Sequence, residues 1–252
     1  MSECLANAMC TNHSRDMNKT ILSAIALAFL GQPVSAQSIP PCARSVQIVS
    51  IGDRTPSHSR YTVDPIDVPD LRALLDHPIK TCGGELVFTG VSTHPGHPLT
   101  RVFVEPSSSK PKKEDYPKLL DFRRHMRLFL KEQEAQEEHI NLFLEEADKA
   151  LKRSENANAS SIFGALKRAN TALLEDWPPG GSRDRIVLIN SDLNDNVGIE
   201  TLTIPKAESI YIIHGSAELP PALQDLDNVY VYENLRGALR HIQSQYNRGG
   251  TL

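Results

Sequence analysis

Asp53, Thr55 and Ser57 stand at alternate positions of one polar turn, so a carboxylate and two hydroxyls share a single loop. All three are hard oxygen donors, suited to Mg²⁺, Mn²⁺ or Ca²⁺ rather than to a thiophilic metal. A second polar cluster, Ser160 and Ser161, opens the periodic apolar run Ile162, Leu166, Ala169 and Leu173. A hydroxyl there is also what a helix N-cap requires. The third cluster, Asn190, Ser191 and Asp192, closes an apolar run that begins near Arg185. Taken singly, each is the composition of an ordinary turn; their order along the chain gives them weight. His94 and His97 form an H-x-x-H pair in a Pro/Gly loop with no third ligand nearby, which reads as surface rather than a transition-metal site. His214, at the end of another apolar run, reads as incidental.

These clusters need elements to hold them. Val46 to Ile51 is short, β-branched and bounded by Pro40, Pro41 and Gly52, which predicts a strand buried on both faces of a parallel sheet. Asp67 and Pro69 predict a helix start, with Leu71, Leu74 and Leu75 as its apolar face and Pro78 as its end. Further strands are expected over Glu85 to Val91, over an alternating edge segment Leu99 to Val104, and over Arg185 to Asn190, Ser209 to Ile213 and Val229 to Val231. Tyr116 to about Ser154 carries a helical pattern of about 38 residues, or ~57 Å. Such a helix either projects beyond a domain of this size or breaks near Gln133 to Gln136. The charged stretch Lys131 to His139 reads as solvated helix, with partner recognition as the lesser option. A break at Asn156 to Ala159, a stop at Trp177 to Gly181 and a closing amphipathic helix Leu235 to Tyr246 complete the alternation. It predicts an α/β, doubly wound, mostly parallel sheet with helices on both faces.

With 252 residues, 40% of them hydrophobic, the chain can bury a complete core in one domain of about 200 residues. The net charge is −4, no basic block stands out and aromatics are scarce, so the footprint and stacking platform of a nucleic-acid binder are missing. Counted from Met17, Lys19 gives a basic start, Ile21 to Leu30 an apolar core and Val34-Ser35-Ala36 a small-x-small cleavage site. Residues 1–36 therefore read as an upstream extension and signal peptide of an exported protein, periplasmic or secreted, in bacterial style. The apolar run is too short to span a bilayer. Residues 37–43 form a lead-in, 44–247 the domain and 248–252 a tail. In an oxidising compartment the remaining cysteines, Cys42 and Cys82, can pair. Each precedes its strand by a matching offset, so parallel neighbouring strands would set the sulfurs side by side, at the end of the sheet opposite Asp53.

The element order and the three clusters resemble the von Willebrand factor A (VWA) domain, over about residues 44–247. Its hallmark is a metal-ion-dependent adhesion site built from D-x-S-x-S after the first strand, a Thr before the third helix and an Asp after the fourth strand. Asp53-Arg-Thr55-Pro-Ser57 is similar to the first element, with Thr for the first Ser. Ser160 stands where Thr is usual, and Asn190-Ser191-Asp192 stands for the Ser-Asp step, with Leu193 in place of the following Gly. The resemblance implies a six-stranded, Rossmann-like sheet ordered 3-2-1-4-5-6. It implies that Thr55, Ser57 and Ser160 touch a divalent cation, Mg²⁺ before Mn²⁺ or Ca²⁺, while Asp53 and Asp192 hold it through water. An open position on the cation would then take the Asp or Glu carboxylate of a partner protein. The function expected is thus a non-enzymatic exported binding module.

Two other readings stand beside it. Ile51-Gly52-Asp53 is similar to the first block of SGNH esterases, which would make a periplasmic hydrolase. Arg54, however, occupies the nucleophile's place and no D-x-x-H pair supplies a base near the C-terminus. The other is a degenerate A domain that binds partners without metal, using its long helix.

Overall fold

The computed structural model describes residues 42, 44–56, 64–92, 99–106, 108–175, 182–195, 197–198, 201–214 and 219–246. The expected signal peptide (1–36), Ser57, His94, His97, the stop at Trp177 to Gly181 and the 248–252 tail lie outside them.

Alternation of buried faces organises the chain. Strand β1 (Ser45–Gly52) is buried along nearly its whole length. It pairs in parallel with β2 (Gly84–Gly90) on one side and β4 (Arg183–Asn190) on the other. β5 (Ser209–Ile213) and β6 (Val229–Tyr232) continue the parallel ladder beyond β4. β3 (Thr100–Val104) adds antiparallel to β2, giving the order β3-β2-β1-β4-β5-β6. Arg101 and Phe103 of β3 are exposed between buried Val102 and Val104, as its alternating sequence requires of an edge strand.

On one side of the sheet, Val46 and Ile48 join a cluster with α1 (Val68–Leu74), α3 (Leu119–Glu155) and α6 (Leu235–Tyr246). Val49 and Ile51, pointing the other way, join a cluster with α4 (Ile162–Leu174) and Leu223 of the short α5 (Pro221–Gln224). Each fully buried Val or Ile contributes roughly 1.5–3 kcal/mol, so β1, with four, is anchored on both faces of the sheet.

The first helix ends where Pro78 predicts: His77 is extended, at φ −160° and ψ 121°, and breaks the helical path before the chain passes through Pro78 and Ile79 into the short α2 (Lys80–Cys82). Leu75, Pro78 and Ile79 are buried, so packing keeps the segment against the core across the kink. α1 begins at a full capping box, in which Asp67 accepts from Asp70 N and Asp70 accepts from Asp67 N. α3 is unbroken over 37 residues, ~55 Å at helical rise, and so projects. Only its second half packs on the sheet, through Ile140, Phe143, Leu144, Ala147, Ala150 and Leu151. Gly90 permits that approach, since a Cβ there would lie 2.8 Å from the Ala150 carbonyl oxygen. A Cys42–Cys82 disulfide, with Cα atoms 5.1 Å apart, joins the segments ahead of β1 and β2. Among the described residues no helix is long and apolar enough to cross a membrane.

Candidate functional site

Because β1 and β4 are parallel neighbours in register from Ser45↔Arg183 to Gly52↔Asn190, their carboxyl ends finish level. Asp53 follows immediately, its N–H donating to the Asn190 carbonyl at 2.9 Å, while Val91 N donates to the Gly52 carbonyl at 2.9 Å. The turn after β1 thus starts between the ends of β2 and β4. Crowding fixes its path, since a Cβ on Gly52 would lie 2.6 Å from Ile66 Cγ2.

Within that turn Asp53 is fully buried and Thr55 nearly so. Asp53 Oδ1 accepts from Thr55 N at 2.9 Å and from Thr55 Oγ1 at 2.7 Å. Thr55 Oγ1 also lies 2.6 Å from Ser160 Oγ. The Thr55 proton is committed to Asp53, so the Ser160 hydroxyl is the donor in that pair. Asp53 Oδ2 accepts from Ser191 Oγ at 2.8 Å. Three of the expected residues are therefore linked directly, across 105 positions of sequence between Thr55 and Ser160.

Asp192 follows Ser191 and is 6% exposed. Its Oδ1 accepts from Asn194 N at 3.1 Å, whereas Oδ2 is buried with no hydrogen-bond partner among the described residues. An unpaired buried carboxylate oxygen is costly. Leu193, where the resemblance has Gly, takes the left-handed conformation at φ +56°.

Capping does not account for the serines before α4. Ser161, the N-cap residue, supplies no side-chain cap, and among the described residues its Oγ is buried without a partner. The first turn is held instead from a distant loop, with Phe163 N donating to Asp195 Oδ2 at 2.9 Å. Asp195 Oδ1 accepts from Val197 N and Gly198 N, so this carboxylate ties the loop after β4 to the start of α4. Asn190 does similar work on the other flank, its Oδ1 accepting from Ile66 N and its Nδ2 donating to the Asp64 carbonyl. Neither role was foreseen from sequence, because both partners are backbone groups remote along the chain.

His214 also proves to belong here. It is 3% exposed and its Nε2–H donates to the Asp192 carbonyl at 3.1 Å. Arg54, by contrast, turns away. Its guanidinium donates to the Ile66 carbonyl and to Glu155 Oε1, and its N–H to Ser154 Oγ. It braces the turn against the end of α3.

Among the described residues no three His, Cys, Asp or Glu lie together as a metal-holding group. A cation at this site would rest on hydroxyls supported by two carboxylates, which is a hard-ion environment. The unpartnered Asp192 Oδ2 and the linked hydroxyls of Thr55 and Ser160 fit that requirement. No family model, no curated protein and no solved structure matches this chain.

Proposed function

We propose that this chain is an exported VWA-like binding module, doubly wound, that docks a partner protein through a divalent cation. Asp53, Thr55, Ser57, Ser160 and Asp192 would hold the ion, Mg²⁺ in the first place. The strand order and the meeting of the turns after β1 and β4 support the reading, since such sheets bind ligands where the order reverses. One observation carries it: among the described residues Asp192 Oδ2 is buried and unpartnered, on the residue that directly follows Ser191, which donates to Asp53 in the network with Thr55 and Ser160. The cation would offset that cost and leave a coordination position for a partner's carboxylate. Asp53 orients Thr55 through two hydrogen bonds to one oxygen, and Ser191 holds the other oxygen. Hydroxyl ligands leave most of the ion's charge for the incoming carboxylate.

The test is thermal unfolding of the protein titrated with Mg²⁺, Mn²⁺ or Ca²⁺, alongside D53A and D192N. Saturation at about one hundred times Kd adds about 2.7 kcal/mol, a rise of roughly 5–10 °C for a domain of this size. The rise should vanish in both variants. An unchanged melting curve for the native protein with all three ions would remove the cation from the reading.

A further inference from the structure

The first half of α3 has no counterpart in the site. Its earliest buried residue is Ile140, so Leu119 to Ala135 extends ~25 Å without entering the core. This stretch is nevertheless apolar. Leu119, Leu120, Leu128 and Leu130 are 49%, 75%, 49% and 56% exposed. At 100° per residue, Leu119, Phe122, Met126, Phe129 and Leu130 fall within an arc of about 100°. Arg123, Arg124, Arg127 and Lys131 occupy the adjoining arc, where with Leu120 and Leu128 they line a shallow groove. Among the described residues none of these four cations is in an ion pair. From Lys110 to Ala135, the lead-in and the projecting half together, eight Lys and Arg face five Asp and Glu, a surplus of three in a chain whose net charge is −4. The positive charge is local and lies beside apolar surface.

We propose that the projecting half of α3 is a docking surface for anionic phospholipid, its cations on the headgroup phosphates and its apolar arc in the interface. Basic, amphipathic helices bind membranes in this way. A second copy gains little by comparison, because an antiparallel pair centred on Phe129 sets Arg127 against Lys131 twice, which offsets the two Arg124–Glu134 pairs of the same register.

The experiment is co-sedimentation of the full chain with vesicles of phosphatidylcholine alone and of phosphatidylcholine mixed equally with phosphatidylglycerol. Native protein should bind the anionic vesicles and release as salt is raised. Each cation near an anionic surface strengthens binding about fivefold, so R123E/R124E/R127E should partition at least about a hundredfold more weakly. L120Q/L130Q should weaken binding while leaving its salt dependence in place. All these positions are exposed, and unchanged melting confirms that each variant folds. Because the variants keep Ile21 to Leu30, binding through that segment would survive in them. Equal binding by native protein and the triple variant overturns the proposal. So does concentration-dependent self-association abolished by R123E/R124E/R127E or L120Q/L130Q without any vesicle binding, or capture of acidic proteins with none.

Discussion

Leu193 shows how two local costs compete at one residue. A non-glycine residue in the left-handed region costs roughly 1–2 kcal/mol, which L193G would recover. The side chain, however, is only 6% exposed and packs in the cluster under α4, and truncating a buried Leu costs about 2–5 kcal/mol. L193G should therefore destabilise by about 1–3 kcal/mol, measured as a lower denaturant midpoint. A gain in stability would mean that backbone strain outweighs packing there.

Asp70 gives a prediction in pH. Burial, together with the neighbouring charges of Asp67 and Asp64, pushes its carboxyl from 3.8 up to about 6. The folded state therefore binds this proton more tightly than the unfolded chain does. Stability from this group is present below pH 3.8 and is lost as pH rises through about 6. D70N keeps an oxygen to accept from Asp67 N and should flatten that part of the profile, read from melting temperatures between pH 4 and pH 7, a range set by the same shift. Asp53, Thr55 and Ser160, which hydrogen bonds link in the fold, carry local signals of type and spacing in the sequence. Asp195, Asn190 and His214 do not, since their partners are backbone groups fixed only by the fold.

At the level of elements, α4 depends on a loop outside itself. Asp195 supplies its N-terminal acceptor and places a negative charge at the positive end of the helix. D195A should cost about 1 kcal/mol. It should also loosen Ser160 relative to Thr55, so the cation response should weaken along with stability. D195N keeps an acceptor and should restore most of both; if D195A matches native protein in both readouts, Asp195 is not the support described. Strands β1, β2, β4 and β5 were readable because short apolar runs rich in β-branched and aromatic residues and bounded by turn residues favour strand. Pro78 marked the break at His77, but the helical resumption at Lys80–Cys82 had no signal of its own in the sequence. The basic face of α3 was missed for a geometric reason. Its cations are spread over more than two helical turns, so they make no block in sequence and gather only on the folded helix.

Across the whole molecule, the sheet has one end for the site and the other for a covalent tie. Cys42 and Cys82 precede β1 and β2, while Asp53 follows β1. Against the observed register, with Val46 opposite Gly84, Cys42 lies four residues ahead and Cys82 two, so the offsets are near rather than equal, and the bond still forms with Cα atoms 5.1 Å apart. The bond closes a loop across a separation of 40 residues, which in the chain-entropy account stabilises by about 4 kcal/mol. C42S/C82S should therefore lower the melting temperature by roughly 8–16 °C. Reduction of native protein should do the same, and reductant should not affect the variant. Because the bond lies at the opposite end from the hydroxyl network, the shift produced by saturating Mg²⁺ should be nearly as large in C42S/C82S as in native protein. Separate sites add when they share no partners. A loss of the Mg²⁺ response on removing the disulfide would show that the two ends of β1 are coupled through the strand, and that the bond helps to shape the site.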